Sequence, residues 1–162
     1  MSMSEAEAKY QIVGADVVPV HVASILRQLQ AAYEPPRGIA LTLEVDETLY
    51  ASADPDMLFS ALRVLLQASC AGQPDFANIS VNCDTADEAV CIEADGEDGL
   101  PRGPTVRGEY PSSFELTLAQ LTISSMGGGL DLSHDARSSR LFRLLLPHAR
   151  PSRISSRPVS AR

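Results

Sequence analysis

Apolar positions change period several times along the chain, and each change marks an element. In residues 17–33, Val22, Ile25, Leu26 and Leu29 recur at helical spacing until Pro35 and Pro36 stop the pattern, which predicts an amphipathic helix. Ile39, Leu41, Leu43 and Val45 then alternate with small or polar residues, the period-2 signature of a half-buried strand, and a short strand LYASA follows after a turn. The next run opens on Asp54 as N-cap and Pro55 at the first helical position. Asp56 falls in the first turn, where the helix dipole favours a carboxylate. Met57, Leu58, Ala61, Leu62, Leu65 and Leu66 supply the apolar stripe of this second helix.

Residues 77–83 and 89–94 read as two strands joined by DTADE in a hairpin. Residues 95–112 collect glycine, proline and charge without periodicity and are expected to form a long loop, a feature that is often functional inside a compact domain. A third helix is predicted from Ser113 to Met126, stopped by Gly127, Gly128 and Gly129, before a hairpin of GLDLSHD and RLFRLLLP closes the domain. Strand pairs between helices imply an α+β fold, a two-layer sandwich with a mixed sheet and about three helices on one face. The organisation expected is a flexible N-terminus (1–9), one folded domain (10–148) and a disordered basic tail (149–162).

Charge narrows the choice of partner. The 162 residues carry a formal net charge of −8, and no acidic residue follows Asp135, while Arg150, Arg153, Arg157 and Arg162 close the chain. Residues 1–148 hold nine basic and 21 acidic groups, a net −12, which disfavours nucleic acid and anionic membrane as partners of the folded body. Cys70, Cys83 and Cys91 form no CxxC pair and sit in apolar or strand-like surroundings, so reduced core thiols and a cytoplasmic location are expected. The start MSMSEAEAK has neither the basic nor the apolar part of a signal peptide, and no run approaches the roughly 20 apolar residues of a membrane span. His21, His134 and His148 are scattered, with no nucleophile signature beside them.

Three local sequences in this order resemble the ATP-binding domain of sensor histidine kinases, whose superfamily (GHKL, with the Bergerat-type fold) includes gyrase, MutL and the ninety-kilodalton heat-shock chaperone. ADPDMLFSALRVLLQAS is similar to the kinase segment GDPDRLRQVLLNLLSNA, with Asp54, Pro55, Asp56, Leu58, Leu62, Leu65 and Leu66 aligned without a gap. VCIEADGEDGLP is similar to the family's strand and glycine turn, with Asp95, Gly99, Leu100 and Pro101 in register, and LAQLTISSMGGGLDL with RLFRLLLP is similar to its closing helix and hairpin.

The resemblance implies where nucleotide chemistry would sit, and the sequence departs from it there. The helix asparagine that binds Mg²⁺ falls at Ala68 and the polar residue four earlier at Val64, and neither side chain offers the hard oxygen that magnesium needs. Asp95 and Gly99 are retained as a vestigial adenine site. The middle glycine of that turn is Glu97, the GLGL segment is Ser113, Phe114, Glu115 and Leu116, and the last glycine-threonine turn is Ser139 and Arg140. Glu93, Asp95, Glu97 and Asp98 fall within six positions, and like charges about 4 Å apart near a surface repel by up to roughly 4 kcal/mol.

The expected function is that of a degenerate histidine kinase-like domain, without strong ATP hydrolysis and with no catalytic residue or metal. It acts as a protein-binding module beside a phosphotransfer protein or response regulator in bacterial two-component signalling. Arg102, Arg107 and Phe114 are the candidate partner-binding residues. Only about 16 residues precede the first predicted helix, too few for the phosphoacceptor hairpin of a complete histidine kinase. The alternative is an active kinase subunit, or a fragment of a sensor histidine kinase, phosphorylating a protein in trans; it alone uses ATP and Mg²⁺. The oligomeric state is left open, a homo-oligomer included.

Overall fold

A computed structural model describes residues 16–86, 88–96, 113–132 and 140–150. Strand β1 (Val18–His21) leads directly into helix α1 (Val22–Ala32), and strands β2 (Ala40–Val45) and β3 (Tyr50–Ala53) precede helix α2 (Pro55–Ala71). Strands β4 (Asn78–Ala86) and β5 (Ala89–Asp95) follow, then helix α3 (Ser113–Ser125) and strands β6 (Gly129–Asp131) and β7 (Arg140–Pro147). The main sheet has the order β2-β4-β5-β7-β6, parallel only between β2 and β4. This is the mixed-sheet α+β sandwich that the order of elements predicts, with three α-helices among the described residues.

Three elements differ from expectation. Residues 18–21 form a strand and the first helix starts only at Val22. Pro19 has no N–H to give a helix and disfavours helical backbone at Val18, while the β-branched Val17, Val18 and Val20 favour extension. The new strand pairs antiparallel with β3, so LYASA belongs to a separate two-stranded sheet and not to the main one. The β4–β5 connection is shorter than DTADE, because Asp84, Thr85 and Ala86 continue the ladder and Glu88 turns with φ +66°. At the far end, Ala149, assigned to the tail, is buried and donates its N–H to the Tyr50 carbonyl at 2.9 Å. The N-terminus to residue 15, the long loop from 97 and the tail from 151 lie outside the described residues.

The core lies between sheet and helices. Ile79, Val81, Val90, Ile92, Ala94, Phe142, Leu144 and Leu146 face Leu26, Leu29, Leu58, Leu62, Leu65 and Ile123 in one continuous buried cluster. All three cysteines are free thiols and buried; burial pushes the Cys83 thiol up to about 12 and raises that of Cys70, so these two are protonated packing groups.

Two glycines after α3 do different work. Gly127 has φ +82° and donates to the Ser124 carbonyl at 2.9 Å, while Gly128 donates to the Ile123 carbonyl at 2.9 Å, the paired bonds of a Schellman cap. A Cβ on Gly128 would lie 2.3 Å from the Leu145 carbonyl of β7, whereas one on Gly127 would only touch Pro147 at 3.4 Å. Gly128→Ala is therefore expected to destabilise by about 2 kcal/mol or more by forcing α3 off the sheet. Gly127→Ala is expected to cost only about 1 kcal/mol, from its left-handed backbone. Urea unfolding of the two variants ranks them, and equal losses would refute the close-approach argument.

Candidate functional site

Helix α2 is held at its start by the adjacent Asp54 side chain and at its end by Arg37, distant in sequence. At its start the Asp54 carboxylate, 7% exposed, accepts from the N–H groups of Asp56 at 3.0 Å and Met57 at 3.2 Å, the capping pattern read from the sequence. It also accepts from Asp16 N–H at 2.8 Å, and its own N–H points at the Met126 sulfur at 3.1 Å, next to the end of α3. At the other end the Arg37 guanidinium donates to the Cys70 and Gln73 carbonyls at 2.8 and 2.6 Å and lies 3.1 Å from Asp75, a cation placed on the negative end of the helix dipole.

Along α2, Met57, Ala61, Val64 and Ala68 recur on one flank. Cys70, on the opposite flank, meets Tyr33 at the end of α1, so the first flank is the one turned toward α3, which packs along α2. Val64 packs against the core cluster, and neither it nor Ala68 carries an oxygen. The positions that the kinase resemblance gives to magnesium chemistry thus present an isopropyl and a methyl group on that flank. These side chains do not fit a magnesium ion.

The remaining candidate position lies at the end of β5. Val90, Ile92 and Ala94 point to the helices, and Cys91, Glu93 and Asp95 to the outer face, as β4 pairing confirms by setting Asp95 opposite Ser80 and Glu93 opposite Asn82. Asn82 Nδ2 donates to Asp95 Oδ2 at 3.4 Å on that outer face. A register shift against β7 falls between Ala94 and Asp95. Asp95, the candidate adenine acceptor, therefore sits with the outer charges, and Ala94 is the residue that faces the helices. Gly96 packs against the Gln73 carboxamide, whose buried Oε1 has no hydrogen-bond partner among the described residues; a Cβ on Gly96 would come within 2.9 Å of it.

The outer face is an ionic strip. Glu93 lies 3.4 Å from Arg143 Nε and 3.7 Å from Arg140, and Arg140 reaches Asp131 at 3.3 Å. These pairs are partly exposed and contribute little individually, but they keep the excess negative charge compensated on the side away from the helices.

Of the predicted partner residues, Phe114 is 61% exposed on α3, one turn and two turns before Leu118 and Leu121, the last 48% exposed. Leu116, Ala119 and Ile123 fill the inner side of the same helix, so α3 is apolar on both sides, with Glu115 as its one charged residue. Gly99, Arg102 and Arg107 lie outside the described residues. His21 is structural: its Nε2 donates to the Glu47 carbonyl at 2.6 Å and its Nδ1 lies 2.6 Å from the Ser24 hydroxyl.

This arrangement of sheet and helices has the fold of histidine kinase catalytic domains. Solved structures that it resembles include histidine kinases. The histidine kinase AdeS of Acinetobacter baumannii superposes with a TM-score of 0.69 at 12% identity, over 90% of this chain and 74% of that one. The catalytic domain of the histidine kinase ThkA gives 0.66 at 15% identity over 82% and 95%, and the mycobacterial sensor histidine kinase MprB 0.61 at 17% over 82% and 98%. No protein-family model and no curated protein sequence matches the chain, so the likeness rests on the fold.

The backbone N–H of Asp16, with those of Met57 and Asp56, holds the Asp54 carboxyl below the ordinary carboxylate range, although burial by itself would raise it. A lowered folded-state value means the stabilisation is complete above the ordinary value near 4 and is lost as pH falls through it toward the folded value. Asp54→Asn is expected to flatten this acid slope in thermal unfolding followed from pH 6 to pH 3. Asp54→Ala should in addition cost about 1–2 kcal/mol at pH 7. An unchanged slope in Asp54→Asn would show that other carboxylates set the acid limit.

Proposed function

We propose that this domain is a nucleotide-silent member of the histidine kinase ATP-binding fold that works by binding a protein of a two-component pathway. The observation that carries the reading is the side chains of α2: Val64 and Ala68 stand where the resemblance places polar and metal-binding residues, and Asp95 lies on the face of the sheet away from the helices. On this reading the scaffold is kept and the nucleotide chemistry is not.

The surface best suited to a partner is the outer stripe of α3. Phe114, Leu118 and Leu121 make an apolar, nearly uncharged face on a helix whose inner side is already anchored, so docking there needs no rearrangement of the core. A helical hairpin of a phosphotransfer protein, presenting its own apolar groove, is the partner this reading expects; a response regulator held by the same pair is the next element of such a pathway.

Calorimetric titration with ATP and Mg²⁺ should give no metal-dependent binding tighter than about 1 mM. A micromolar, metal-dependent constant would instead establish the rival, an active kinase subunit. The double variant Val64→Asn with Ala68→Asn tests how far the cleft has diverged: recovered nucleotide binding would identify these two positions as the lost determinants. On the partner side, Phe114→Glu and Leu121→Glu should each weaken capture of a phosphotransfer hairpin by about tenfold or more, while shifting stability by less than about 0.5 kcal/mol because both side chains are exposed.

A further inference from the structure

The main sheet ends in two edges that are protected very differently. On one side β6 has only three residues, a length too short to template another strand. On the other, β2 offers six residues, ALTLEV, without proline, lysine or a bulge. The bonds Ala40 N–H to Ala77 O at 2.9 Å and Asp46 N–H to Cys83 O at 3.2 Å fix which groups of β2 are used by β4: those of residues 40, 42, 44 and 46. The backbone groups of Leu41, Leu43 and Val45 therefore point away from the sheet. The Leu41 carbonyl is covered by Gln30 Nε2 at 2.8 Å, through one of its two acceptor sites. The side chains of Leu41, Leu43 and Val45 are partly buried against the core and open on the edge side.

We infer that the β2 edge is a self-association surface, pairing antiparallel with β2 of a second copy about a two-fold axis at Leu43. The side chains choose both the occupant and the register. With Leu43 opposite its own copy, Leu41 faces Val45 of the second chain on the helix side, continuing the apolar layer across the junction. On the outer face Thr42 meets Glu44 and Ala40 meets Asp46, so no acid opposes an acid. Moving the axis to Val45 sets Glu44 against Asp46 twice, which is repulsive, and moving it to Leu41 leaves Val45 without a partner strand residue. One register is thus favoured, and it is self-complementary, as a two-fold interface requires. The result is a continuous ten-stranded sheet with the helices of both copies on one face. Two chains of net charge −8 also repel, so association should strengthen with salt.

The test is the sedimentation mass of the full chain across concentration and salt. Twice the 17.3 kDa chain mass is expected at about 100 µM in about 0.3 M salt, with dissociation favoured at low salt. Leu43→Lys should return the protein to monomer, by setting two ammonium groups against each other on the axis. Because Leu43 also touches the core, the sharper comparison uses exposed Thr42, whose hydroxyl bond to Asn78 is lost in either variant. Thr42→Lys, facing Glu44, should tighten the dimer by about threefold to tenfold, and Thr42→Glu should weaken it by a similar factor. A monomer at every concentration and salt, or a dimer indifferent to the sign of the charge at position 42, would overturn the proposal.

Discussion

The structure depends on a buried carboxylate. Asp54 stands where β3 gives way to α2, and a charge removed from water there is tolerable only because three backbone N–H groups surround it. Two of these donors are unsatisfied ends of α2, and the third comes from Asp16, so the cap and the approach of the chain to β1 are one interaction. The Asp54 N–H in turn addresses the Met126 sulfur, tying the start of α2 to the end of α3. Arg37 holds the other end of α2 through the carbonyls of Cys70 and Gln73. With both ends fixed, the flank of α2 that carries Val64 and Ala68 is held at a constant spacing from α3, and the Gly128 contact sets the distance from α3 to the sheet.

That frame explains how charge is distributed. An acidic domain cannot face carboxylates into a cleft lined by methyl groups without either pairing them or raising their pKa values. The strand period resolves this: on β5 the side chains in phase with the core are Val90, Ile92 and Ala94, and those out of phase are Glu93 and Asp95. The outer residues meet Arg140, Arg143 and Asn82. Glu93 and Asp95 are thereby placed on the face of the sheet that the helices do not cover, and the inner face of β5 is left apolar. The packing of α2 against α3 is complete with Val64 and Ala68 on that flank, without polar side chains at either position.

Much of the fold was legible in the sequence because the elements that matter are strongly periodic and explicitly capped. Asp54-Pro55 at one helix and the glycines after another state their roles locally, and the structure places both as read. Residues 17–21 were misread because a run of valines satisfies helical and extended spacing alike over so few positions; Pro19 was the signal that decides it. The two-stranded sheet of β1 and β3 could not be foreseen, since pairing of short strands is a long-range property with no local mark. At Asp95 the motif and the strand period point in different directions. Its neighbours match a motif in which the aspartate is in phase with the apolar residues before it, yet here Val90, Ile92 and Ala94 alternate and Asp95 falls one place out of step. Counting the period would have sent its side chain to the outer face.

The two surfaces proposed for binding are separated by the architecture itself. Helix α1 packs beside β2 at one end of the sheet, and α3 beside β6 at the other. Pairing through β2 buries the open sides of Leu41, Leu43 and Val45 and brings the α1 ends of two copies together, while each α3 remains at an outer end of the joined sheet. Phe114 and Leu121 of both copies then stay open to a partner, so self-association and partner docking draw on different residues and do not compete. A partner that is itself a two-fold dimer could meet both ends only if its two docking grooves were spaced by the length of ten strands, about 45 Å at the usual strand separation. A shorter dimeric partner would engage one α3 per domain pair. The length of the joined sheet therefore sets the stoichiometry with which such a module can recruit its partner.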